Sequence, residues 1–171
     1  MIPLPGLRPN LRMALRGLAI IAIFLAVVPA HVLITHSHWD HIQGLPFFLP
    51  NFIAGNTLRL HGAFDSVSGK GIEQVMAVQL QYSYFPVREE EMKARIEYVT
   101  LAPEQSIKIG SATVTPYVMS HPVIDFGYRI EENGKSVFFT GDHEPPYNPY
   151  APNEAGFAQC QAEVNARNDY L

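Results

Sequence analysis

The amino-acid sequence predicts an α/β protein, on three observations. The apolar run His31-Val32-Leu33-Ile34 passes directly into Thr35-His36-Ser37-His38-Trp39-Asp40-His41, so a strand-like segment ends in a dense polar cluster. Farther along, segments that alternate with a period of two are interleaved with segments whose apolar residues recur at helical spacing. Near the end of that series Asn133-Gly134 separates two alternating runs, a strong hairpin signal because both residues tolerate positive φ.

The elements follow in chain order. Arg8, Arg12 and Arg16 lead into the apolar residues 18–28, for which three readings compete. Val28-Pro29-Ala30 fits a secretory cleavage site, but cutting there would leave a mature chain starting on the strand that leads into the His cluster, with nothing beside it. A membrane anchor over residues 17–34 is the second reading, and it is short for a bilayer once residues 32–34 are assigned to a strand. The third and preferred reading is a buried helix ended by Pro29. Residues 1–30 are thus a separate apolar segment and 31–171 the main domain.

Residues 57–61 alternate like a strand ending at Gly62, 71–80 have the pattern of an amphipathic helix, and 89–95 are expected to continue helical before 96–99 alternate again. Residues 106–110 and 112–118 form two paired strands. Residues 126–132 and 135–140 flank the hairpin turn. The proline-rich stretch 145–152 is a loop, since proline suits neither a helix interior nor a central strand. Residues 154–170 read as a polar helix with Phe157, Cys160 and Val164 as a thin apolar stripe.

The chemistry sits in the cluster after Ile34. Three histidines and an aspartate within six positions are ligands that zinc, iron or manganese accept, and packing alone does not call for them together. In extended backbone His36 and His38 send both imidazoles to one side, where they could share a metal. Asp40 and His41 lie where the chain starts to coil and could hold a second. Two cations close together would clamp a hydroxide and polarise a substrate oxygen, the two-metal route to hydrolysis.

His36-Ser37-His38-Trp39-Asp40-His41 resembles the HxHxDH motif of the metallo-β-lactamase superfamily, and Ile42-Gln43-Gly44-Leu45-Pro46-Phe47-Phe48 is similar to its stand-alone metallohydrolases. Ser120-His121-Pro122 with Gly127-Tyr128-Arg129-Ile130-Glu131 resembles the third-histidine motif. Phe139-Thr140-Gly141-Asp142 resembles the strand end that carries a bridging aspartate. The resemblance covers about residues 30 to 150 and implies an αββα sandwich, here incomplete. It further implies that His36, His38 and His121 bind one metal, that Asp40 and His41 bind a second, and that Asp142 bridges them. The cofactor expected is two divalent metal ions, zinc first, with manganese or iron as alternatives. The further histidine that family members bring from downstream is not matched; His143 is read instead as a hydrogen-bonded or solvated loop residue.

The activity implied is hydrolysis by a metal-bound hydroxide, with a phosphodiester as the leading substrate and Asp40 also acting as the catalytic group that orients or deprotonates the water. Two alternatives stand beside it: a thioester or lactone hydrolase of the same fold, and a catalytically inert metal-binding fragment. The partner expected is a small-molecule or nucleotide-type ester. A formal charge of −4 offers no broad cationic surface for strong nucleic-acid binding. Cytoplasmic location is expected, with membrane anchoring through residues 17–34 as the alternative. With 171 residues, 47% hydrophobic and 16% charged, there is material for one core, and the single Cys160 excludes an internal disulfide. Asp125 and Glu144 stand near the ligands in sequence, where either could orient a ligand imidazole, with a solvated side chain as the default for each. Pro46, Phe47, Phe48, Tyr82, Tyr84 and Phe85 could wall a pocket, although an ordinary core or loop role is favoured for them, and a packing role beneath the loop suffices for Trp39.

Overall fold

A computed structural model describes residues 29–170 of the chain. The buried-helix, leader and anchor readings of residues 17–34 fall largely outside the described residues. Among those described, no helix is long and apolar enough to cross a membrane.

The first sheet is parallel and three-stranded, in the order β1 (Pro29–Leu33), β2 (Thr57–Ala63), β3 (Arg95–Leu101). Pro29 is tolerated because it is the first residue of a strand that, among the described residues, lies at the sheet edge. The connection from β1 to β2 contains a one-turn helix, α1 (Trp39–Ile42), and that from β2 to β3 contains α2 (Ile72–Gln79). The second sheet is antiparallel: β4 (Ile107–Ile109), β5 (Ala112–Val118), β6 (Phe126–Glu132) and β7 (Lys135–Phe139), each hydrogen-bonded to the next. Between β6 and β7, Asn133 and Gly134 have φ of 50° and 71°, the left-handed pair that a tight two-residue hairpin requires. The last helix is α3 (Phe157–Tyr170).

Strand alternation divides the apolar side chains between two cores. Leu58 and Leu60 of β2 pack with Ile72 and Met76 of α2 and Ile42 of α1, which seals the helices onto the outer face of the parallel sheet. Leu33, Val99 and Leu101 point the other way and meet Val114, Phe126 and Tyr128, so this second core lies between the sheets. Helix, sheet and sheet are therefore three layers of the expected αββα sandwich. Burying a large apolar side chain contributes about 1.5–3 kcal/mol, and both layers of contact depend on it.

One expected element is corrected. Residues 89–95 do not form a helix: a single 3₁₀ turn spans Glu89–Glu91, and Arg95 already belongs to β3. Three adjacent carboxylates repel one another, and of this segment only Met92 is buried, so no apolar stripe is available to pin a helix. The amides of Lys93 and Ala94 instead donate to the Asn51 carbonyl, at 2.9 and 3.0 Å, and draw the chain out into the strand.

Candidate metal centre

The carboxyl end of β1 delivers residues 34–41 to one edge of the sandwich, where α/β folds place their sites. Three hydrogen bonds anchor that delivery. The Ile34 amide donates to the His61 carbonyl at 2.8 Å, the Phe126 amide donates to the Thr35 carbonyl at 2.9 Å, and the buried Tyr128 hydroxyl donates to the Ile34 carbonyl at 2.7 Å. Tyr128 thus reaches across the inter-sheet core to hold the start of the loop; burial and the nearby Asp125 carboxylate push its own pKa up, so it remains a donor.

His38 is extended, with φ −61° and ψ 147°, and α1 begins immediately after it. The turn of α1 carries Asp40 and His41 round to the same edge. His121 follows β5 and Asp142 follows β7, so the second sheet supplies the opposite wall.

The side chains converge in two groups. Ligand atoms of His36, His38 and His121 lie within 4.8 Å of one another, as do those of His36, His41 and Asp142. In the first group His36 Nε2 is 3.0 Å from His38 Nδ1, and His121 Nε2 is 3.1 Å from the same atom. In the second, His41 Nε2 is 3.0 Å from Asp142 Oδ2 and 3.2 Å from Asp40 Oδ2. His36 belongs to both groups. Asp40 touches His41 but is not one of the second trio, and its side chain is largely exposed.

His36 is the fixed point of this arrangement. Its buried Nδ1 lies 2.9 Å from Asp125 Oδ1 and 3.1 Å from the Thr35 hydroxyl. An ionised carboxylate only accepts, so Nδ1 carries the proton and the lone pair of Nε2 turns towards His38 and the other donors. Burial holds the His36 imidazole below its ordinary pKa against the opposing pull of Asp125, and the His41 and His38 rings add to that lowering. The ring is consequently neutral at pH 7, the form that binds metal. His121 has a weaker counterpart, its Nδ1 being 3.2 Å from the exposed Glu144 carboxylate. His143 stands apart from both groups and accepts a hydrogen bond from the Ser120 amide at 3.3 Å.

Five side chains whose nitrogen and oxygen donors meet at one sheet edge, one of them oriented by a buried carboxylate, fit a divalent cation of the kind that imidazole and carboxylate select. The motif region also matches a known family, described as the beta-lactamase superfamily domain, over residues 24–160. The chain belongs to that superfamily. Its fold is the metallo-β-lactamase-like α/β sandwich, of which the described residues build a part.

Among curated relatives of this superfamily member, ribonuclease Z of Staphylococcus epidermidis is 32% identical over 103 residues, which is 59% of this chain and 31% of the relative. Ribonuclease BN of Cronobacter sakazakii is 34% identical over 111 residues, 61% of this chain and 32% of that one. The chain therefore spans about a third of the length of these relatives. A solved structure, the metallo-β-lactamase fold protein YhfI from Bacillus subtilis, is 19% identical, with a TM-score of 0.48 over 75% of this chain and 53% of that one.

Two expectations about neighbouring residues are overturned. Asp125 is not a solvated carboxylate; it is fully buried behind His36. The available signal was its position between the apolar residues Ile124 and Phe126 at the start of a strand, four residues after His121. Trp39 does not pack beneath the loop, because 60% of it is exposed; the first position of a one-turn helix at the sheet edge turns its indole outwards.

Proposed function

We propose that this chain is the metal-binding part of a hydrolase that cleaves phosphodiesters. The observation that carries this reading is the double convergence on His36: one trio with His38 and His121, another with His41 and Asp142. The similarity to ribonucleases Z and BN supports a phosphodiester over a thioester or lactone.

In this reading His36, His38 and His121 hold one divalent cation, His41 and Asp142 hold a second, and Asp40 assists His41. Zinc is the first choice, for which a set rich in imidazole is well suited. Such cations, when bound, lower the pKa of water towards 7 and polarise a phosphoryl oxygen. The remaining work falls to the protein. Asp125 keeps the His36 proton on Nδ1 and its lone pair on the metal side. Asp142 Oδ2 stands 3.0 Å from His41 Nε2, close enough for the two to share one cation. Asp40 is exposed enough to reach a water or a substrate hydroxyl, and it serves as the group that orients the nucleophile or accepts its proton.

The test is metal content by elemental analysis of the purified chain, read with hydrolysis of bis(p-nitrophenyl) phosphate, a thioester and a lactone. His38→Ala and Asp142→Ala are expected to lose bound metal and phosphodiester turnover together. Full metal content in both variants, or turnover of the thioester or lactone alone, would overturn the assignment.

A further inference from the structure

β5 and β7 end at one edge of the antiparallel sheet and lead into the two loops that carry His121 and Asp142. β6 lies between them and pairs with both, so no ladder hydrogen bond joins the two strand ends. The last paired residues are Val118 and Phe139, and beyond them the sheet no longer fixes how far apart the loops stand. Each trio of the candidate centre nevertheless draws a ligand from one of these loops, His121 for the first and Asp142 for the second.

Hydrogen bonds outside the ladder close that gap. Ser120, immediately before His121, is held through both of its backbone groups by the two residues that follow Asp142. The Glu144 amide donates to the Ser120 carbonyl at 2.8 Å, and the Ser120 amide donates to His143 Nδ1 at 3.3 Å. As an acceptor at Nδ1, His143 carries its ring proton on Nε2. A side-chain contact runs beside these bonds, from His121 Nδ1 to Glu144 Oε1 at 3.2 Å. An ionised carboxylate only accepts, so this contact keeps the His121 proton on Nδ1 and leaves its Nε2 facing His38.

Both loops also rest on the residue behind His36. Met119 is buried, and its amide donates to the Asp125 carbonyl at 2.8 Å, while Gly141 lies against the Asp125 carboxylate. A ligand on an untethered loop loses conformational entropy when a cation binds, which opposes binding. Here folding itself has already ordered the two loops against each other.

We propose, building on the metal-dependent reading above, that His143 and Glu144 are positioning residues that clasp Ser120. They tie the His121 loop to the Asp142 loop, so that the two metal positions are organised as one unit.

The intact 171-residue protein and its His143→Ala, His143→Asn, Glu144→Ala and Glu144→Gln variants are titrated with zinc against a chromophoric chelator, and two binding steps are fitted. His143→Asn retains an acceptor for the Ser120 amide, and Glu144→Gln retains one for His121 Nδ1. Each alanine variant should weaken both steps by about ten-fold, the lower end of the range for partners that orient metal ligands. The Asn and Gln variants should recover most of that loss. Melting temperatures of the zinc-free variants, expected to match the wild type because the clasp lies outside both cores, separate positioning from loss of fold. Unchanged affinity in both alanine variants, a weakening confined to one step, or equal losses in the alanine and conservative variants would overturn the clasp while leaving the metal centre intact. A wild type that takes up no zinc would overturn the metal centre and the clasp together. The expected zinc pattern in a chain that hydrolyses no phosphodiester would leave the clasp standing and remove the hydrolase reading.

Discussion

Gly141 lies against the carboxylate of Asp125: a Cβ at position 141 would stand 2.7 Å from Oδ1 and 2.8 Å from Oδ2. The contact couples the two halves of the site, because Asp125 holds His36 and Gly141 precedes Asp142. Gly141 is also left-handed, with φ +61°, a conformation that costs other residues about 1 kcal/mol or more. Gly141→Ala should therefore push either the Asp142 loop or the Asp125 carboxylate out of place. The expected result is loss of metal affinity with a lower melting temperature, measured by chelator competition and thermal unfolding; wild-type affinity would show that the contact is not restrictive.

Asp125 orients His36 without touching the proposed metal position. Removing such a partner typically weakens metal binding by about 10–100-fold. Asp125→Ala should fall in that range, and Asp125→Asn should lose less, since its amide oxygen still accepts from His36 Nδ1. Isothermal titration with zinc distinguishes the two, and equal affinities for both variants and wild type would rule out the orienting role.

The Tyr128 hydroxyl satisfies the Ile34 carbonyl from inside the core. Tyr128→Phe keeps the ring and leaves that buried carbonyl unpaired, at a cost of about 1–3 kcal/mol. Urea unfolding reads the stability. Because Ile34 leads directly into the ligand loop, a fall in zinc affinity should accompany the loss.

His61 is buried, with its Nε2 2.8 Å from His31 Nδ1 and its own Nδ1 unpartnered. Burial first, then the His31 and Arg59 charges, lower its pKa from 6.5 to about 4. The folded state thus resists a proton that the unfolded chain accepts. Stability from this group is complete above about pH 6.5 and declines as pH falls towards 4, by up to about 3 kcal/mol at roughly 1.4 kcal/mol per pKa unit. Urea unfolding at several pH values should show this loss in the wild type and a flatter profile in His61→Gln; parallel profiles would assign the acid sensitivity elsewhere.

Much of this protein was legible one residue at a time. The period of two marked β2, β5, β6 and β7, the helical period marked α2, and Asn133-Gly134 marked the hairpin, because these are local consequences of side-chain alternation and allowed φ. The segment 89–95 misled for a related reason: its charged residues favour a helix locally, and the hydrogen bonds to Asn51 that decide otherwise come from about forty residues away.

The sequence by itself determined the α/β class and the density of metal-ligating side chains after β1, since both are written in contiguous residues. Only the tertiary structure decided how those side chains are held. Packing the two sheets brings Asp125 behind His36, 89 positions away, and sets His121 against His38, 83 positions away. It also places Gly141 on Asp125 and sets Ser120 against His143 and Glu144. No local pattern encodes such pairs, because their distance is fixed by the packing of the sandwich rather than by the spacing of the chain.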